Sequence, residues 1–130
     1  MHTNNAIQNH KDLIVWQKSV DLSVFIYEIT EKFPREEQFG LSSQMRRSSV
    51  SIASNIAEGR QRSTKKDFVN FLRIAKGSSS ELETQLIISK RLNFSKNLNY
   101  SKIEALLEEV IKMLRAMIFK LTLPAKQLAS

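Results

Sequence analysis

The sequence contains no cysteine, and glycine and proline are scarce, with three Gly and two Pro among 130 residues. Without thiols, disulfide bonds, thiolate catalysis and cysteine-ligated zinc are all excluded, and the composition suits a reducing compartment. The shortage of Gly and Pro leaves little material for tight turns. It therefore disfavours β-sandwiches and β-barrels and favours a few long helices.

Long apolar runs are missing as well. No stretch approaches the roughly 18 to 20 apolar residues that a membrane-spanning helix requires, and the first eleven residues lack the apolar centre of a secretory signal. We therefore expect a cytoplasmic protein that does not cross a membrane. Hydrophobic residues at 42% and charged residues at 25% are ordinary for a globular domain, and the length predicts one domain with one core.

Apolar periodicity and capping signals predict four helices. The predicted ranges are 12–33, 39–58, 64–93 and 101–122. Pro34 should stop the first helix and Gly59 should terminate the second in the left-handed conformation. Short connections predict an all-α, antiparallel up-and-down four-helix bundle over residues 12–122, with flexible tails at 1–11 and 123–130.

Two pairs of polar residues predict helix starts. Thr64 with Asp67, and Ser101 with Glu104, have the spacing of a capping box, in which each side chain bonds the backbone of the other residue. Thr64 should therefore cap the third helix, and Ser101 the fourth.

The first helix carries more apolar surface than one core needs. One stripe consists of Leu13, Trp16, Val20, Val24 and Tyr27; another consists of Val15, Leu22, Ile26, Ile29 and Phe33. A single buried face requires only the first stripe. The second stripe, together with Leu106, Met113 and Ile118 on the fourth helix, therefore predicts burial in a homo-oligomer.

Positive charge is concentrated in two parts of the chain. Residues 46–76 carry eight basic side chains against two acidic ones, and residues 110–130 carry four basic side chains and no acidic one. Such clustering attracts polyanions by releasing their counterions, without dependence on sequence. The candidate nucleic-acid-binding residues are Arg60, Arg62, Lys65, Lys66, Arg73 and Lys76. Few aromatic residues are interleaved with them, which counts against a stacking platform for single strands.

Catalytic patterns are not found. His2 and His10 lie in the polar first segment away from any carboxylate cluster, and Glu81 and Glu83 diverge by about 200° on a helix. No Gly-rich phosphate loop occurs, and no serine has a general base beside it. We therefore predict no enzymatic activity, no metal site and no cofactor.

A polar stripe on the second helix has a counterpart on the third. The first contains Ser48, Ser51, Asn55 and Glu58, and the second contains Ser78, Glu81 and Gln85. We expect a structural hydrogen-bonded network, in which Arg46 or Arg47 neutralises a partly buried glutamate. Its predicted members are Arg47, Asn55, Glu58, Glu81 and Gln85.

Two blocks carry a resemblance to a known family. GLSSQMRRSSVSIASNIAEGR (residues 40–60) and GSSSELETQL (77–86), preceded by LIVWQKS (13–19) and by Phe33 and Pro34, resemble the proteins encoded in intervening sequences of bacterial 23S rRNA genes. The resemblance covers residues 12–122. It implies a bacterial, cytoplasmic four-helix bundle that assembles as a ring-like homopentamer. It also implies kinship with the accessory variability protein of diversity-generating retroelements, a basic barrel that binds nucleic acid and a reverse transcriptase.

Two functions stay open at this point. The chain is expected to be a non-enzymatic oligomer that binds rRNA or retroelement-associated RNA or DNA through its basic face. Alternatively, it is a scaffold whose basic face docks an acidic protein partner such as a reverse transcriptase. A nuclease is disfavoured, because phosphodiester cleavage generally requires clustered carboxylates or paired histidines.

Overall fold

The computed structural model describes residue 10 and residues 13–124. Its four α-helices are α1 (Ile14–Thr30), α2 (Leu41–Arg60), α3 (Lys65–Arg91) and α4 (Ser101–Leu121). Short 3-10 helices at Arg35–Glu37 and Asn93–Ser95 lie in the first and third connections. Within the described residues there is no strand, so the predicted all-α class with four helices is confirmed. Of the predicted tails, all except His10, Leu123 and Pro124 lie outside the described residues.

All four helices contribute to one hydrophobic core. Helix α1 contacts α2 and α4, and α3 contacts the same two helices. The largest fully buried apolar side chains at the centre are Val15, Leu22, Ile26, Met45, Ile52, Ile56, Leu72, Leu82, Val110 and Leu114. The stripes predicted for α2, α3 and α4 supply most of them, because each of these helices has a single apolar face at the helical period.

The buried face of α1 is not the one expected. Val15, Leu22 and Ile26 are buried, whereas Val24 is 50% exposed and Tyr27 is 44% exposed. The prediction for this helix was therefore wrong: the second stripe packs on the core and the first leaves apolar surface outside. Both stripes are apolar, so the packing of the neighbouring helices decides between them.

The exposed apolar surface predicted for α4 is formed by a different residue from those expected. Leu106, Met113 and Ile118 are partly buried and pack against the core cluster. The exposed apolar side chain of this helix is instead Phe119, with 66% of its surface accessible.

Helix α1 ends at Thr30, three residues earlier than predicted. The hydroxyl of Thr30 donates to the carbonyl of Ile26 at 2.6 Å and accepts from Nε of Arg46 at 2.8 Å. Pro34 disfavours the helical conformation of the residue before it, and Phe33 packs into the core with its ring 4.7 Å from that of Phe94. The proline therefore ends the helix indirectly, through the turn that precedes it.

Gly59 lies inside α2 and does not terminate it. None of the three glycines has a positive φ, so the predicted left-handed cap was wrong. A Cβ atom at residue 59 would lie only 2.7 Å from the Cβ of Phe71. The glycine is required because α2 and α3 approach each other closely at this point.

One of the two predicted caps is present. Thr64 caps α3 by accepting a hydrogen bond from the Asp67 backbone at 3.1 Å, but among the described residues the Asp67 carboxylate makes no bond back to Thr64, so only half of the predicted capping box forms. At α4 the N-cap is Tyr100, which makes no side-chain cap, and Ser101 is the first helical residue; its backbone and its hydroxyl donate to Oδ1 of Asn99 at 2.9 and 2.7 Å. Glu104 reaches out of the helix and pairs with Lys90 of α3, so the capping box at Ser101 was a wrong prediction.

Candidate nucleic-acid interface

Three of the predicted basic residues surround one cleft at the connection between α2 and α3. Arg60 is the last residue of α2, Lys65 is the first of α3, and Arg62 lies in the four-residue link between them. The cleft has a volume of about 290 Å³, and Phe68 and Leu121 complete its wall. Because only four residues separate α2 from α3, and Thr64 at the end of this link caps α3, the three basic side chains lie close together.

Aromatic side chains of α3 support the two arginines. The guanidinium carbon of Arg60 lies 5.6 Å from the centre of the Phe68 ring, and that of Arg62 lies 4.8 Å from the Phe71 ring. Each contact is a cation–π interaction of modest strength. Nε of Arg60 is buried and, within the described part of the chain, has no hydrogen-bond partner. These contacts orient the guanidinium groups beside the cleft.

Acidic residues reduce the charge of this region. The carboxylate of Glu58 forms an ion pair with Arg62 at 2.9 Å, and about half of each side chain is exposed. Asp67 lies in the first turn of α3. An exposed pair of this kind is worth little to stability, but it shields Arg62 from a polyanion.

The remaining three basic residues continue along α3. Lys66 and Arg73 are exposed and, seven residues apart, project from the same face of the helix. Arg73 and Lys76 line a second depression beside Ile118 of α4. From Lys65 to Lys76 the basic residues extend about 16 Å along the helix axis. The structure thus arranges the six predicted residues as one cleft and one helical track.

The five residues of the predicted polar network are not joined together. Arg47, Glu81 and Gln85 line one groove between α2 and α3, together with the 90% exposed Phe39. Glu81 is exposed and, among the described residues, has no ion pair or hydrogen bond, so it is not the partly buried glutamate that was expected. Oε1 of Gln85 is buried without a partner in the described residues.

The other two network residues are bonded elsewhere. Asn55 donates to the carbonyl and the hydroxyl of Ser51 at 2.9 and 3.0 Å, and that hydroxyl meets the hydroxyl of Ser78 on α3 at 2.8 Å. Glu58 instead pairs with Arg62. The contact between the two polar stripes is therefore made by serines, which the sequence pattern placed on the correct faces.

A second surface was not predicted from the sequence. An apolar groove of about 380 Å³ lies between α1 and α2. Its lining residues are Val20, Ser23, Val24, Tyr27, Glu28, Glu31, Val50 and Ala53. The available signal was the doubled apolar stripe of α1, but periodicity alone did not show which stripe remains outside the core.

Among residues 10 and 13–124, no three His, Asp or Glu side chains lie close enough together to hold a metal ion. None of the helices in this part of the chain has both the length and the apolar character needed to span a membrane.

The fold and the cleft define a class: an all-α, four-helix protein with a basic cleft at the connection of its second and third helices. Residues 11–116 match the family model described as 23S rRNA-intervening sequence protein. The chain belongs to this family, as its two sequence blocks predicted.

A solved structure agrees with this assignment. A protein of unknown function from the S23 ribosomal protein family of Bacteroides thetaiotaomicron VPI-5482 is 30% identical to this chain and superposes with a TM-score of 0.74. The alignment covers 81% of this chain and 98% of that one. No curated protein matches the sequence.

Proposed function

We propose that this chain is a non-enzymatic protein that binds nucleic acid, of an rRNA or a retroelement, through the cleft between α2 and α3 and the adjoining face of α3. One observation carries the proposal: Arg60, Arg62 and Lys65 line the same cleft, and basic side chains continue from it along α3. At 3.4 Å per base pair, the 16 Å track spans roughly five base pairs.

Binding of this kind is electrostatic and has little sequence preference. Basic side chains that neutralise phosphates release counterions, and this release supplies most of the affinity for non-specific sites. Arg60 and Arg62 are already oriented by Phe68 and Phe71, so less side-chain freedom is lost when they contact phosphates. Their position at the end of a helix, rather than along one recognition helix, favours contacts to the backbone over contacts to bases.

We also propose that the four helices run up, down, up and down as an antiparallel bundle. The order of the contacts supports this arrangement. Gly59 of α2 faces Phe71 of α3, whereas the earlier Ser51 meets the later Ser78. Between α1 and α4, Lys18 pairs with Glu109, while the later Phe25 lies under the earlier Lys102.

The bundle is proposed to act in the bacterial cytoplasm as a ring-like homo-oligomer, with five subunits as the family resemblance implies. The apolar groove on α1 and α2 supports self-association, because exposed contiguous apolar surface usually marks an interaction site. A ring repeats the basic cleft once per subunit and so raises the avidity for a long polyanion.

The proposal is tested by fluorescence anisotropy with labelled duplex DNA and structured RNA at salt concentrations between about 50 and 200 mM. If each subunit neutralises about four phosphates, log K falls against log salt with a slope of about −3 to −4 on duplex DNA. Replacing Arg60, Arg62, Lys65 and Lys66 by glutamine together should flatten that slope and leave the oligomer intact.

A charge-matched variant serves as the control. It replaces two arginines and two lysines that are exposed away from the cleft, namely Lys32, Arg35, Arg91 and Lys96. This variant should retain most of the affinity, because only its net charge changes. Equal losses in both variants would contradict a localised site. If wild type binds neither DNA nor RNA at physiological salt, the basic face docks an acidic protein partner instead.

A further inference from the structure

The groove between α1 and α2 combines an apolar floor with two glutamates on its rim, and the guanidinium carbon of Arg46 lies 4.6 Å from the centre of the Tyr27 ring. Val24, Tyr27 and Val50 are 50%, 44% and 42% exposed, and their side chains line the groove with Val20 and Ala53. Glu28 and Glu31 also line it, and neither has an ion pair within the described residues. An occupant of this groove should therefore present apolar surface flanked by positive charge.

The outer face of α4 has this character. Phe119 is the most exposed large apolar side chain of α4, at 66%. Lys112, Arg115 and Ala116 precede it by seven, four and three residues and so share its face of the helix. Between residues 110 and 124 the chain has three basic residues and no acidic one. The end of α4 thus presents an aromatic side chain within a basic surface.

We propose that these two surfaces bind each other between copies of the chain: Phe119 of one subunit enters the α1–α2 groove of the next, and Arg115 faces Glu28 and Glu31. The inference rests on the proposed homo-oligomer and names the contact that builds it. A buried aromatic side chain with charged neighbours at the edge is the usual anatomy of an interface hot spot.

The groove between α3 and α4 is also lined by apolar and acidic residues, and it is a poorer match. It contains Ile87 and the three glutamates Glu83, Glu104 and Glu108. Glu104 already pairs with Lys90, and Glu108 lies 3.7 Å from Lys112. Of these three glutamates only Glu83 has no ion pair among the described residues, whereas neither Glu28 nor Glu31 has one, and this difference favours the groove on α1 and α2.

Because the two surfaces differ, the contact is heterologous. Each subunit uses its groove for one neighbour and its α4 surface for the other, so the assembly closes as a ring or grows as a filament. A symmetric dimer made by two equal patches would stop at two subunits, and its mass distinguishes it from a ring or a filament.

Light scattering and native mass spectrometry test the contact. Val24→Glu places a charge in the groove and Phe119→Glu removes the aromatic side chain, and each variant alone should shift the protein from oligomer to monomer. Two matched controls should keep the mass of wild type: Ile87→Glu, at a residue 51% exposed, and Phe39→Glu, at a residue 90% exposed. All four positions are exposed, so circular dichroism and melting temperature should stay close to wild type.

Mixing the two monomeric variants is the decisive step. The Val24→Glu chain keeps its Phe119 surface and the Phe119→Glu chain keeps its groove, so an equal mixture should form a one-to-one dimer and nothing larger. Concentrations on the order of 100 μM compensate for the avidity that ring closure normally adds. A mixture that stays monomeric overturns the proposed contact.

The remaining outcomes separate this inference from the proposals it rests on. If both single variants keep the wild-type mass, the contact is wrong and the homo-oligomer stands. If Ile87→Glu is the variant that dissociates, the groove between α3 and α4 is the true site. A monomeric wild type overturns both the oligomer and the contact, and the anisotropy measurement still decides nucleic-acid binding.

Discussion

Gly59 and Phe71 pack so closely that a Cβ atom on residue 59 would lie 2.7 Å from the Cβ of Phe71. The carbonyl oxygen of Phe68 is also only 3.3 Å from that position. This approach of α2 to α3 brings Arg60 and Arg62 beside the rings of Phe68 and Phe71. The glycine therefore shapes the basic cleft although it has no side chain to contact a ligand.

We predict that Gly59→Ala destabilises the protein by about 1 to 3 kcal/mol, because the new methyl group meets backbone-fixed atoms that cannot rotate away. This cost exceeds the gain of about 1 kcal/mol that alanine brings to a helix interior. Gly77→Ala is the control, since no atom lies within 4 Å of its Cβ position; it should stabilise by about 0.5 to 1 kcal/mol. Urea unfolding measures both, and equal effects would contradict the close packing.

A buried hydroxyl cluster holds the connection before α4. The hydroxyl of Tyr100 accepts a hydrogen bond from Ser89 at 2.9 Å and meets the hydroxyl of Ser95 at 2.7 Å. Tyr100→Phe leaves these two buried serines without that partner and should cost about 1 to 3 kcal/mol. Tyr27→Phe, at a 44% exposed residue, should change the free energy of unfolding by less than about 0.5 kcal/mol. Equal melting temperatures for the two variants would rule out a stabilising cluster.

Ile26 and Val24 are two residues apart on α1 but have opposite environments. Ile26 is fully buried in the core, so Ile26→Ala should lower the free energy of unfolding by about 2 to 5 kcal/mol. Val24→Ala should lower it by less than about 1 kcal/mol, because that side chain is half exposed. Chemical denaturation of both variants under conditions that keep them monomeric checks the assignment. If Val24→Ala destabilised the protein more than Ile26→Ala, the buried stripe of α1 would be the one predicted from periodicity.

Glu58 forms an ion pair with Arg62 of the basic cleft, and this pair competes with the binding of a phosphate by Arg62. Glu58→Gln should strengthen the binding of duplex DNA severalfold, because Arg62 becomes free for a phosphate and the salt slope steepens by up to about 0.9. The free energy of unfolding should change by less than about 1 kcal/mol, as the pair is exposed. Glu36→Gln makes the same change of charge on the 3-10 helix at Arg35–Glu37. If it strengthens binding equally, net charge alone explains the effect.

The sequence by itself determined the helical class, the number of helices and the family. Helices α2, α3 and α4 each have one apolar face, such as that of Met45, Ile52 and Ile56 on α2, and such a face can be buried in only one way. The cap at Thr64 was predictable because it joins residues three apart. Arg60, Arg62 and Lys65 were found together because a short link connects them in the chain.

Only the tertiary structure decided the rest. Two apolar stripes on α1 satisfy the helical period equally, and contacts with α2 and α4 select the one that contains Ile26. The role of Gly59 depends on Phe71, twelve residues away on another helix. Glu81 shares its helix face with Ser78, but the approach of α2 leaves the carboxylate exposed and bonds the serine to Ser51. Periodicity reports which residues share a face of one helix, whereas burial depends on the distance between helices.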